Sequence, residues 1–111
     1  MMREGEDSVL KKEYIVFGAH FDHLGMGGPG SSSRAPDTIG VHHGADDNAS
    51  GVAMIIELAG QFAGTKNSHR RTLVFSAFTG EELGLLGSKY FTDNSSVDLS
   101  KADAMVNLDM V

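Results

Sequence analysis

Three short apolar runs in this chain each lead directly into acidic or histidine residues, and that recurrence narrows the available folds sharply. Tyr14-Ile15-Val16-Phe17-Gly18-Ala19 runs into His20-Phe21-Asp22, and Thr72-Leu73-Val74-Phe75-Ser76-Ala77-Phe78 is followed by Glu81-Glu82. Ala102-Asp103-Ala104-Met105-Val106-Asn107-Leu108 ends at Asp109. The first two, largely apolar runs with β-branched and aromatic residues, read as buried strands of a parallel or mixed sheet, and 102–108 reads as a third strand. A fourth acidic block, Gly44-Ala45-Asp46-Asp47-Asn48, stands just before a helical pattern.

That pattern covers residues 50–62, where Val52, Ile55, Ile56, Ala59 and Phe62 fall at helical spacing and Glu57 and Gln61 lie off the stripe. Asn48 or Asp47 is the expected N-cap and Gly64 the expected stop. A shorter helix is predicted over 83–91, opened by Thr79-Gly80-Glu81-Glu82 as a capping box. Residues 25–44, rich in Gly, Ser and Pro, carry neither helical nor strand period and are read as loop. The order is β-α-β-α-β, which predicts an α/β fold: a three-layer αβα sandwich around a mostly parallel or mixed sheet, with right-handed crossovers. In open α/β sheets the ligand crevice lies at the carboxyl ends of the strands, so the polar segments are expected to meet on one rim.

With 111 residues, 41% of them hydrophobic and 22% charged, the chain has the composition of one small globular domain. No apolar run approaches the roughly 20 residues of a membrane helix, and the acidic start Met1-Met2-Arg3-Glu4-Gly5-Glu6-Asp7 is not expected to be a signal peptide. The net charge of −6 disfavours nucleic acid and anionic membrane as partners and suits a protein that gathers cations. There is no Cys, so any zinc must be held by His and carboxylate.

Imidazole and carboxylates at the ends of buried strands are the donor set of a borderline divalent metal, zinc above all. Without a cation, carboxylates gathered in a partly dry cleft repel one another. Each segment also has an ordinary explanation. A strand-end His is commonly just hydrogen-bonded, Asp and Asn cap helices, adjacent Glu residues are frequent at helix starts, and Asp109 could be a polar strand terminus. It is their recurrence at equivalent strand ends that favours a metal. Gly25-Met26-Gly27-Gly28-Pro29-Gly30 spells a dinucleotide-binding glycine pattern, but Pro29 and the Ser-rich run after it offer no helix to meet a pyrophosphate.

With those residues assembled, the chain resembles the M28 family of co-catalytic zinc aminopeptidases. The matching blocks are Gly18-Ala19-His20-Phe21-Asp22-His23, Gly44-Ala45-Asp46-Asp47-Asn48-Ala49-Ser50-Gly51, Gly80-Glu81-Glu82-Leu83-Gly84-Leu85-Leu86-Gly87-Ser88 and Asn107-Leu108-Asp109-Met110. The resemblance implies a zinc-dependent exopeptidase fold, truncated here, with 1–12 a flexible acidic segment and 13–111 part of the catalytic domain. It further implies that Asp47 bridges two zinc ions, that His20 and Asp109 complete one, and that Glu82 binds the other. Glu81 would be the general base for the attacking water, and Asp22 would orient His20.

In that family a further His downstream completes the second zinc. Nothing past Val111 is present to supply it, so the chain is expected to be a fragment holding one zinc well or none. His23, His42, His43 and His69 match no ligand role. The implied substrate is a peptide with a free N-terminus. The alternatives are a glutaminyl-cyclase-like single-zinc aminoacyl transferase and a non-catalytic metal-binding fragment. An exposed sheet edge implies self-association, and family resemblance implies an exported parent protein.

Overall fold

The computed structural model describes residues 1–64 and 69–111. Its elements are β1 (Met2–Arg3), β2 (Tyr14–His20), α1 (Gly51–Gly64), β3 (Thr72–Phe78), α2 (Leu86–Asp93) and β4 (Ala102–Asn107). A six-residue helical turn, Ala45–Ser50, precedes α1. The strands form one mixed sheet in the order β1-β3-β2-β4. β2 is parallel to both β3 and β4, and β1 is antiparallel to β3. The predicted α/β class is therefore what the chain adopts.

Pleating divides the sheet residues between two faces. Ala19, Leu73 and Phe75 form the buried core with Ile55 of α1, and Ile15, Phe17, Val52, Leu58, Ala59, Phe62 and Leu108 pack around them. Phe17 and Phe75 stack with ring centroids 5.2 Å apart. On the other side of the sheet, Phe78 meets Phe91 of α2 at 5.6 Å. The helices thus cover opposite faces.

The stripe on α1 departs from expectation at one position. Ile56 is 66% exposed, and Leu58 packs in its place. The seam in contact with the sheet is Val52, Ile55, Ala59 and Phe62; Ile56 lies 100° of helical rotation beyond Ile55, on the flank turned outward.

The predicted capping box at Thr79 and Glu82 does not form. Gly84 (φ 102°) and Leu85 (φ 61°) adopt left-handed backbone, so residues 81–85 make a tight turn in which the Gly84 and Leu85 amides both donate to Glu81 O at 2.9 Å. α2 consequently starts at Leu86. Both turn glycines are suited to this path: Gly80 too has positive φ, 66°.

β4 is an edge strand exposed along its whole length. At the opposite margin the Thr72 hydroxyl accepts from Gly5 N (3.0 Å) and donates to Lys11 O (2.7 Å). No helix among the described residues is long and apolar enough to cross a membrane.

Candidate metal centre

Because β2, β3 and β4 all run in the same direction, their carboxyl ends share one rim. His20, the last residue of β2, pairs with Phe78, the last of β3. Gly18 pairs with Asn107, and Leu108 N donates to Gly18 O at 2.8 Å. Two residues further along each strand, His20 and Asp109 therefore stand level. Asp47 reaches the same place from the turn before α1, where Asp47 (φ −101°, ψ 95°) and Asn48 (φ −135°, ψ 43°) leave helical geometry. The peptide between them is cis.

Asn48 anchors this junction. It is 2% exposed; its Nδ2 donates to Leu108 O (2.9 Å), and its Oδ1 accepts from Gly51 N (3.1 Å) and Met110 N (3.2 Å). Of the two expected N-caps it is Asn48 that bonds into the first turn of α1. One side chain thereby ties the segment carrying Asp47 to the segment carrying Asp109.

His20 is buried, and its two ring nitrogens face different partners. Nδ1 lies 3.0 Å from the main-chain oxygen of Asp22, which can only accept, so the ring proton belongs on Nδ1. In the neutral ring Nε2 presents its lone pair to Asp47 Oδ1 at 3.2 Å and Asp109 Oδ1 at 3.7 Å. A lone pair facing two carboxylates is repulsive unless positive charge sits among them. The donor set, one imidazole nitrogen and two carboxylate oxygens, fits zinc.

A second set shares Asp47. His23 Nδ1 lies 2.8 Å from Glu82 Oε1 and 3.8 Å from Asp47 Oδ2. Asp47 therefore turns Oδ1 to one group and Oδ2 to the other. Within each set all ligand atoms lie within 4.8 Å of one another.

The structure brings together His20, Asp47, Glu82 and Asp109. Asp22 touches His20 through its carbonyl; its carboxylate Oδ1 is 3.8 Å from the ring and instead accepts from Glu81 N (3.2 Å), with Oδ2 accepting from Glu82 N (3.3 Å). The carboxylate of Asp22 thus does, for the Glu81-Glu82 turn, what the expected capping box does not. Burial holds the Glu81 carboxyl above its ordinary value; the neighbouring His20 imidazole opposes the rise, and the carboxylates of Glu82, Asp109 and Asp47 add to it.

Glu81 lines a small cavity of about 60 Å³ with His20, Ser88 and Asp109. Asp22, His23 and Glu82 open onto a cleft of about 310 Å³ whose far wall includes Ser31 and Ser32. Ser32 Oγ donates to Glu82 O at 2.8 Å, so the Gly/Ser loop folds back over the site.

His23, to which the resemblance gives no ligand role, stands beside Asp47 and Glu82. Its signal was present, since it lies in the same block as His20, three residues on. What the spacing does not say is where its ring points. Gly44 (φ 62°) packs against it so closely that a Cβ there would collide with His23 Cβ and Cγ. His42 stands edge-on to the His23 ring at 6.2 Å and contributes to neither set.

The family model described as Peptidase family M28 matches residues 1–111. A protein named probable zinc metalloprotease from Pyrenophora tritici-repentis is 44% identical over 101 residues, covering 88% of this chain and 20% of that protein. Aminopeptidase YwaD of Bacillus subtilis is 37% identical over 76 residues, covering 68% of this chain and 16% of that protein. A probable leucine aminopeptidase of Arthroderma benhamiae is 34% identical over 100 residues, covering 86% and 25% respectively. The chain spans about a sixth to a quarter of the length of these curated relatives.

Proposed function

This chain belongs to peptidase family M28, and from that membership we propose that it builds the metal-binding heart of a zinc aminopeptidase acting on peptides with a free N-terminus. Residues 13–111 supply part of that catalytic domain. The observation carrying the reading is Asp47, whose two oxygens face two separate His-carboxylate groups, as a bridging ligand requires. His20, Asp47 and Asp109 would hold one zinc, and Asp47 and Glu82 would bind a second.

Zinc bound at this rim supplies acidification of a water and polarisation of the scissile carbonyl. The remaining work falls to the protein. Glu81 accepts the proton of the attacking water and delivers it to the departing amine. Its raised proton affinity suits the first of those steps. Glu82, adjacent in sequence, is turned to His23; there it would hold metal and leave Glu81 free to carry the proton. Asp22 holds both ends of this arrangement: its carbonyl fixes the His20 tautomer, and its carboxylate fixes the turn bearing both glutamates. The acidic rim favours the cationic amino end of a peptide over its carboxylate end.

The substrate class follows the aminopeptidase names of the relatives. The test is hydrolysis of an aminoacyl anilide by the zinc-loaded protein and by Glu81→Gln, with zinc content measured on both. The expected result is loss of about 10²–10⁴-fold in kcat in the variant, the span that a positioned general base contributes, at unchanged zinc content. Hydrolysis at the wild-type rate refutes the base assignment. Cyclisation of an N-terminal-glutamine peptide without anilide hydrolysis refutes the aminopeptidase reading.

A further inference from the structure

We propose that His23, through Nδ1, is a metal ligand that completes the second set with Asp47 and Glu82, so that this chain carries two full three-residue metal groups sharing one aspartate. This rests on the zinc reading of the His20 group and extends it to a residue for which the family resemblance gives no role.

The geometry of the pair His23 and Glu82 is the starting point. Nδ1 and Oε1 are 2.8 Å apart, yet both are buried without a hydrogen-bond partner among the described residues. At that distance an N–H aimed at the carboxylate would form a strong charge-assisted bond. The two atoms are close but not aligned as donor and acceptor. Buried polar atoms left so are costly, and a cation between them removes the cost for both at once. Asp47 Oδ2, 3.8 Å from the same nitrogen, supplies the third donor.

The surroundings hold the ring in place. Gly44 lies against His23 Cβ and Cγ, and His42 packs edge-on to the ring. Asp22 fixes the Glu82 amide from one side, and Ser32 binds the Glu82 carbonyl from the other. Both ligand-bearing segments are thus held by neighbours that do not themselves enter the set. One imidazole and two carboxylates is again a zinc donor set, and the cleft beside it leaves room for a fourth, non-protein ligand.

Cobalt(II) serves as the probe, because its visible spectrum reports each bound ion without any turnover. The metal-free 111-residue chain is titrated with cobalt, and bound metal is counted after gel filtration for wild type, His23→Ala and His20→Ala. Zinc is added in parallel to ¹⁵N-labelled chain while the His23 ring nitrogens are followed by NMR. The expected result is two equivalents in wild type, one in His23→Ala with the His20 group still filled, and a zinc-induced shift of His23 Nδ1. Retention of one metal by His23→Ala also shows that the variant folds.

Two equivalents in both wild type and His23→Ala overturn the inference and leave the His20 group standing. So does one equivalent in both, or a His23 Nδ1 resonance that zinc does not move. No bound metal in wild type overturns the zinc reading together with the inference.

Discussion

Replacing Asn48 by Ala tests how the site is assembled. The side chain makes three hydrogen bonds, to Leu108 O, Gly51 N and Met110 N, inside a pocket where it is 2% exposed. Each such bond contributes about 1 kcal/mol net, so the substitution costs about 3 kcal/mol, and the partners left buried without water push the figure upward. That is a large part of the roughly 5–15 kcal/mol that holds a small domain together. With a urea slope of about 1.5 kcal/mol/M, the denaturation midpoint falls by about 2 M. Losing the clamp also releases Leu108, and with it the hold on Asp109 opposite His20. Zinc affinity of the His20 group is expected to fall about 10–100-fold, the usual consequence of losing a residue that orients ligands. Urea unfolding followed by circular dichroism and competitive zinc titration give the two numbers. A midpoint within about 0.3 M of wild type, with unchanged zinc affinity, refutes the clamp.

A Cβ at Gly87 would overlap the backbone oxygen and nitrogen of Thr79, and backbone cannot swing aside as a side chain can. Gly87→Ala is therefore expected to destabilise by about 1–3 kcal/mol through overpacking, read as a lowered thermal midpoint; an unchanged midpoint refutes it. The Asp7 carboxylate accepts from Val9 N and Leu10 N and pairs with Arg70, which together hold its pKa down to about 2 from 3.8. Since the folded pKa is the lower one, the stabilisation is full above the unfolded value and is lost as pH falls through the folded one. A carbon-13 titration of the Asp7 carboxyl is expected to show its midpoint near 2; a midpoint at or above the ordinary aspartate value counts against these bonds.

Local order was well written in the residues. Thr72–Phe78 is a strand from end to end, as its largely apolar run predicts, and the helical pattern over 50–62 falls on α1, Gly51–Gly64. The parallel order, inferred from alternating strand and helix patterns, already places His20, Glu81, Glu82 and Asp109 at one edge. Where the reading failed, short-range rules met a longer-range constraint. Thr79 and Glu82 have the spacing of a capping box, but the left-handed residues Gly84 and Leu85 end the turn first. Spacing also leaves open which group of Asp22 meets the His20 ring: it is the carbonyl, while the carboxylate accepts from two amides 59 and 60 residues away.

Sequence by itself determined the alternation of strand and helix, the donor types at each strand end and the acidic charge that favours a cation. These depend on period, composition and neighbours along the chain, all of which are local. Only the tertiary structure decided the directions of the side chains: that His20 turns Nε2 toward Asp47 and Asp109, that Asp47 divides its oxygens, and that His23 faces Glu82. A ring at the rim of a sheet has several rotamers of similar energy. Which one persists is chosen by contacts from segments remote in sequence, such as Gly44 on His23 and Asn48 on Leu108.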